Sequence, residues 1–290
     1  GVRTFLISAE QGSEADRVGD GVKVAKGDDG SLLIDNGRLL LENHSTGAIF
    51  DRVSLDGIEL GSFKALIHQR CGDDLWINAD HVEEIIIREG SVRGVFEFVL
   101  SYSGQTEHLL RRHDADQFGL LPHRILRPKA FRTAYQVEVL PNQSWFTAKF
   151  LWLENTDTEP LDLQEYFYYA LSRISGVGTD DEVSQGFTTP NPYCTVASWF
   201  DPVQKMHYGV AVPPRSGLTL YFWKDQDGGQ HPDLRRSVDL VLAPGKRYSE
   251  RATPIQVFGL KDDGDKARLS DLWKKMSASH DVTIRAFQDE

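Results

Sequence analysis

Apolar and polar residues along this chain alternate with a period of two far more often than with a helical period. Phe131–Leu140 (FRTAYQVEVL) and Val92–Ser103 (VRGVFEFVLSYS) are clear cases, and alternation of this kind marks half-buried strands. Further strand-like runs cover Gly37–Asn43, Ala48–Leu55, Phe63–Gln69, Val82–Arg88, Val196–Phe200, Tyr208–Val212, Leu218–Trp223, Ser237–Leu242 and Glu250–Phe258. Gly, Asp, Asn and Pro punctuate the runs at short intervals, as strand-to-strand turns require. One segment departs from the pattern. In Asp265–His280, Leu269, Leu272, Trp273 and Met276 fall at i, i+3, i+4 and i+7, which predicts an amphipathic helix.

These elements predict an all-β chain: one large antiparallel β-sandwich carrying one C-terminal helix, which covers an end or face of a sheet. Residues 1–30 read as a short N-terminal strand (Arg3–Ser8) and a linker rich in Gly, Asp and Glu. Residues 31–290 read as the sandwich domain, without internal repeats.

The hairpin in Leu151–Arg173 (LWLENTDTEPLDLQEYFYYALSR) poses a chemical question. Strict alternation puts Leu163, Glu165, Phe167, Tyr169 and Leu171 on one face, and Gln164, Tyr166, Tyr168 and Ala170 on the other. A carboxylate in such an aromatic run needs a partner if buried. Glu165 is therefore read either as a general acid or base, as an acceptor for ligand hydroxyls, or as one half of an ion pair with Arg173 or Arg132. Gln164, Tyr166 and Tyr168 have polar tips on larger bodies. They fit a ligand platform equally with a core whose hydroxyls reach the backbone.

Charge narrows the partners. The chain has 290 residues and a net charge of -11, so nucleic acid is not expected. No apolar run reaches the length of a membrane-spanning helix. The thirty aromatic residues exclude a disordered chain. Against this acidic background, His108–Arg132 holds six Lys or Arg and two Asp, with His108, His113 and His123. That local reversal suits an anionic ligand, with Arg111, Arg112 and Arg124 as contacts. It suits equally a solvated loop pairing with acidic neighbours such as Asp73 and Asp74. Cys71 and Cys194 form no CxxC pair, and are read as one disulfide or two buried thiols. The stretch His68–Trp76, with His81 beyond it, could gather His68, Asp73, Asp74 and His81, but matches no metal-ligand spacing. No metal or other cofactor is expected. Phosphate-binding loops, nucleophile elbows and zinc-protease motifs are absent from the sequence. The first residue is Gly rather than Met, a start that reads as processed or engineered; with a secretory signal removed, the expected location is periplasmic or extracellular.

The order of segments from Asn36 to Phe258 resembles the galactose mutarotase-like superfamily of β-sandwiches. The resemblance is carried by NGRLLLENHSTGAIFDRVSLDGIEL (Asn36–Leu60), WFTAKFLWLENTDTEPLDLQEYFYY (Trp145–Tyr169) and LAPGKRYSE (Leu242–Glu250). The superfamily includes sugar epimerases, accessory domains of polysaccharide lyases and sandwich domains of glycoside hydrolases, so the resemblance implies work on saccharides without fixing the reaction. The epimerases carry a His-Pro-Tyr-Phe element in the aromatic strand and a Leu-His-Gly-Gly element before it. Here the strand reads Gln164-Glu165-Tyr166-Phe167, and neither histidine motif is present. This departure weighs against aldose 1-epimerase chemistry, which stays an alternative.

The resemblance turns the anionic ligand into a uronate or sulfated saccharide. The leading expectation is a carbohydrate-active protein of lyase or glycoside hydrolase type. Glu165, His113, His123 and Tyr168 are its candidate acid–base groups. Arg111, Arg112, Arg124, Tyr166, Gln164 and Trp76 are its substrate contacts. The rival expectations are a non-catalytic carbohydrate-binding or accessory module, and a structural sandwich that packs against another domain.

Overall fold

A computed structural model describes residues 21–70, 74–89, 93–104, 108–110, 124–126, 128–172, 187–190, 195–201, 204–212, 217–224, 230–250 and 254–261. Twenty strands follow one another without a helix among the described residues. They are β1 (Lys23–Lys26), β2 (Leu32–Asp35), β3 (Leu39–Asn43), β4 (Phe50–Leu55), β5 (Ile58–Arg70), β6 (Asp74–Asn78), β7 (His81–Glu89), β8 (Gly94–Tyr102), β9 (His108–Leu110) and β10 (Arg124–Leu126). Then come β11 (Phe131–Val139), β12 (Trp145–Asn155), β13 (Leu161–Ser172), β14 (Phe187–Pro190), β15 (Thr195–Asp201), β16 (Met206–Val212), β17 (Thr219–Lys224), β18 (Gln230–Leu242), β19 (Arg247–Ser249) and β20 (Ile255–Lys261). The helix expected over Asp265–His280 and the strand over Arg3–Ser8 lie outside the described residues.

Two nine-stranded antiparallel sheets hold nearly all of these strands. The first runs β1-β2-β3-β4-β5-β13-β18-β17, with β6 also paired to β5. The second runs β14-β15-β16-β20-β12-β11-β8-β7, with β19 also paired to β12. β9 and β10 make a separate two-stranded ladder within the basic segment. This is the large antiparallel sandwich that the alternation predicted. Lys23–Lys26, in the stretch read as linker, instead forms β1 and pairs with β2.

The core between the sheets is aromatic. Phe50 of the first sheet meets Phe146 of the second edge-to-face at 5.4 Å between ring centres, and Phe63 meets Phe146 at 5.3 Å. Such pairs add about 0.5–1.5 kcal/mol each beyond the area they bury.

Three fully buried asparagines fix the turns that recur in the sequence. Asn155 donates through Nδ2 to the carbonyls of Glu159 (2.9 Å) and Leu242 (2.8 Å) and accepts the amide of Asp157 (2.9 Å). Asn43 closes the β3–β4 connection through the carbonyls of Ala48 and Ile49. Asn36 ties the β2–β3 turn to the carbonyls of Leu140 and Gln143 in the β11–β12 connection of the second sheet. A buried carboxamide has two donors and an acceptor, enough to satisfy backbone groups that a turn removes from the ladders.

Candidate functional site

The site is built on an irregularity in β13. Against β5, Leu163 stands opposite Gln69 and Glu165 opposite His68, so Gln164 is an extra residue without a counterpart. Against β18, Leu163 faces Leu240 and Glu165 faces Ser237, so Val238 and Asp239 together span Gln164. Asp239 takes a positive φ of 45° there. A bulge of this kind resets which face each later residue occupies.

The reset corrects the face assignment that strict alternation gives. Leu161 and Leu163 point into the core, and after the bulge Tyr166 and Tyr168 do too; all four are essentially buried. Tyr166 stacks on Phe150 of the second sheet at 4.3 Å, and Tyr168 meets Tyr135 edge-to-face at 5.7 Å. Burial pushes both phenols well above the ordinary tyrosine range. Tyr166 donates to Glu250 Oε1, Tyr248 donates to Glu250 Oε2 at 2.9 Å, and Arg236 approaches the same carboxylate at 3.4 Å. Burial, then the bond to Glu250, pushes the Tyr248 phenol up to about 12. Tyr166 and Tyr168 are therefore core residues. They cannot serve as the ligand platform or the catalytic tyrosine that the sequence offered.

Glu165 turns the other way, onto the outer face of the first sheet. Its Oε2 lies 3.4 Å from His68 Nδ1, and the Ser237 hydroxyl donates to its Oε1 at 3.4 Å. The His68 side chain is 8% exposed and that of Glu165 is 21% exposed. Oriented with its oxygen toward Arg70, the Gln164 carboxamide accepts from that guanidinium, and its nitrogen lies 3.1 Å from both His68 ring nitrogens. Arg70 in turn stands 3.7 Å from Asp162. The bulge thus gathers an imidazole, a carboxylate, a hydroxyl, a carboxamide and a guanidinium onto one outward patch.

The expected Arg partner of Glu165 does not materialise at Arg132. That guanidinium is committed to Glu83 (3.0 Å) and Glu154 (3.5 Å) on the second sheet. Arg173 lies outside the described residues, as do Arg111, Arg112, His113 and His123. Arg124 is in β10 and pairs with Leu110. Trp76 sits directly opposite His68 in the β5–β6 ladder. His68 is the acid–base candidate that the sequence offers only as a metal ligand; its place opposite Glu165 comes from β5 lying beside β13, which no local pattern marks. Among the described residues, no group of three or more His, Cys, Asp or Glu is arranged to hold a metal ion.

No protein-family model and no curated protein sequence matches the chain. Solved structures similar to it include the following two. One is a Klebsiella pneumoniae protein provisionally named an aldose 1-epimerase, with 11% identity, 90% of this chain and 89% of that one covered, and a TM-score of 0.45. The other is the Slr1438 protein of Synechocystis sp. PCC 6803, with 10% identity, 82% and 95% covered, and a TM-score of 0.41. The two large antiparallel sheets are the architecture that the resemblance to the galactose mutarotase-like superfamily implied, in a divergent form. The chemistry argued next comes from this chain's own side chains.

Proposed function

We propose that this chain acts on sugars at the outer face of the first sheet, and that His68 and Glu165 move protons at the anomeric centre in an aldose 1-epimerase-like reaction. The observation that carries this reading is the contact between an imidazole and a carboxylate, 3.4 Å apart and turned away from the core. Opening a cyclic sugar needs a base for the anomeric hydroxyl proton and an acid for the ring oxygen. Both oxygens are bonded to the same carbon, so acid and base must be neighbours. In the forward step the carboxylate takes the hydroxyl proton, the carbonyl forms, the C1–ring oxygen bond breaks, and the imidazolium protonates the departing oxygen. Closure on the other face of the carbonyl reverses these transfers.

The histidine-free aromatic strand weighed against this chemistry, because the superfamily's imidazole is missing there. His68 supplies an imidazole from the adjacent strand instead.

The test is a panel of freshly dissolved neutral and acidic aldoses followed by polarimetry, with uronate polymers followed in parallel by near-ultraviolet absorbance. Faster anomer equilibration supports the proposal. An unsaturated product from a uronate polymer, without anomer equilibration, would replace it with a lyase. Saccharide binding without turnover would replace it with a binding module.

A further inference from the structure

Two arginines flank the His68–Glu165 pair on the same face of the first sheet, one on each side. Arg70 follows His68 by two residues on β5, so it shares that face, roughly 7 Å along the strand. Its side chain is 52% exposed. Arg235 precedes Ser237 by two residues on β18. Leu234 is buried in the core and Arg236 reaches Glu250, so Arg235 points outward with Ser237. It stands opposite Phe167 on β13 and Thr219 on β17, and is half-buried. The pair thus sits between two guanidiniums placed diagonally across it, in a chain whose net charge is -11.

Arg70 is also well disposed to exchange partners. Its ion pair with Asp162 is 3.7 Å long, and the Asp162 side chain is 35% exposed. Exposed pairs of this length contribute little, so a ligand anion can replace Asp162 at small cost. A guanidinium offers a planar fork of donors that matches a carboxylate or a phosphate with two hydrogen bonds. Gln164 touches both the Arg70 guanidinium and the His68 ring, so an anion drawn to Arg70 is delivered beside the proton-transfer pair.

We infer that the sugar taken by this site carries a negative group, a carboxylate or a phosphate ester, held by Arg70 or Arg235 while the anomeric carbon meets His68 and Glu165. This rests on the sugar-acting reading above and adds the substrate class. With the anomeric carbon at the pair, a group on the far side of the ring comes within reach of guanidiniums whose strands root them two residues, roughly 7 Å, to either side.

The experiment measures anomer exchange by magnetisation-transfer NMR at low ionic strength, using the full chain with glucuronate, glucose 6-phosphate, glucose and galactose. The expected result is a kcat/KM for glucuronate or for glucose 6-phosphate at least about tenfold above that for the neutral sugars. The two anionic arms separate a carboxylate site from a phosphate site. Arg70→Gln or Arg235→Gln should lower the preference for the anionic sugar by about tenfold, mainly through KM, and added salt should lower it in the native chain. Equal turnover of neutral and anionic sugars overturns this inference while leaving the proposed reaction standing. If no sugar is turned over, calorimetric titration with the same four sugars decides. Selective binding of an anionic sugar keeps the inference and removes the reaction, and no binding at all removes both.

Discussion

His68 Nδ1 and Glu165 Oε2 lie 3.4 Å apart although 97 residues separate them in the chain. They meet because β5 and β13 are neighbours in the first sheet, and because one extra residue, Gln164, turns Glu165 outward while Leu163, Tyr166 and Tyr168 stay in the core.

The bulge itself is the first point to test. Deleting Gln164 takes out the extra residue and leaves Leu161, Leu163, Tyr166 and Tyr168 on the core face in one unbroken alternation. The deletion should therefore keep a cooperative melting transition by circular dichroism, as should Gln164→Ala. Were the strand regular through Gln164, the deletion would force either Tyr166 and Tyr168 or Leu161 and Leu163 out of the core at about 3–6 kcal/mol, a large part of the stability of an ordinary domain, and the transition would be lost.

Asn155 makes a second prediction. Asn155→Ala strands the buried carbonyl of Leu242 and removes the partner of the part-buried Glu159 carbonyl and Asp157 amide, all of which it satisfies. Each unsatisfied buried group costs about 1–3 kcal/mol. The variant should lose about 2–5 kcal/mol in urea unfolding, with an unchanged dependence on denaturant. An exposed substitution such as Val241→Thr should change stability by about 0.5 kcal/mol or less.

The buried tyrosines set an alkaline limit. Burial raises the phenols of Tyr102, Tyr135, Tyr166 and Tyr168, and Tyr248 is pushed up to about 12. Unfolded tyrosine ionises near pH 10. The fold thus binds these protons more tightly than the unfolded chain does. The associated stability is fully present below about pH 10 and is lost as pH rises from there through the raised folded values. Spectrophotometric titration should show these tyrosines resisting ionisation until the chain unfolds. Smooth titration of all nine tyrosines near pH 10 with the fold intact would contradict the arrangement of the core.

Much of this architecture was legible because period-two alternation and turn asparagines are local signals. Asn36, Asn43 and Asn155 stand at turns in the sequence and also hold them in the structure. The bulge was not legible. LDLQEYFYY offers no Gly or Pro to mark the extra residue, so alternation ran straight through Gln164 and put Tyr166 and Tyr168 with the polar face. Nor was the pairing of His68 with Glu165, because contact between neighbouring strands far apart in sequence depends on sheet order. Strand β1 escaped notice because Lys23–Lys26 is short and mostly exposed, as an edge strand usually is.

Anomer exchange by the native chain, compared with Glu165→Gln and His68→Asn, tests the central claim most directly. Both substitutions nearly preserve shape and sit on a face turned from the core, so melting temperatures should stay close to that of the native chain. Each variant should lose at least about a hundredfold in rate, the ordinary contribution of a positioned acid or base. The double variant should be little worse than either single one, because the two groups act as a unit. Folded single variants that exchange anomers as fast as the native chain would contradict that claim.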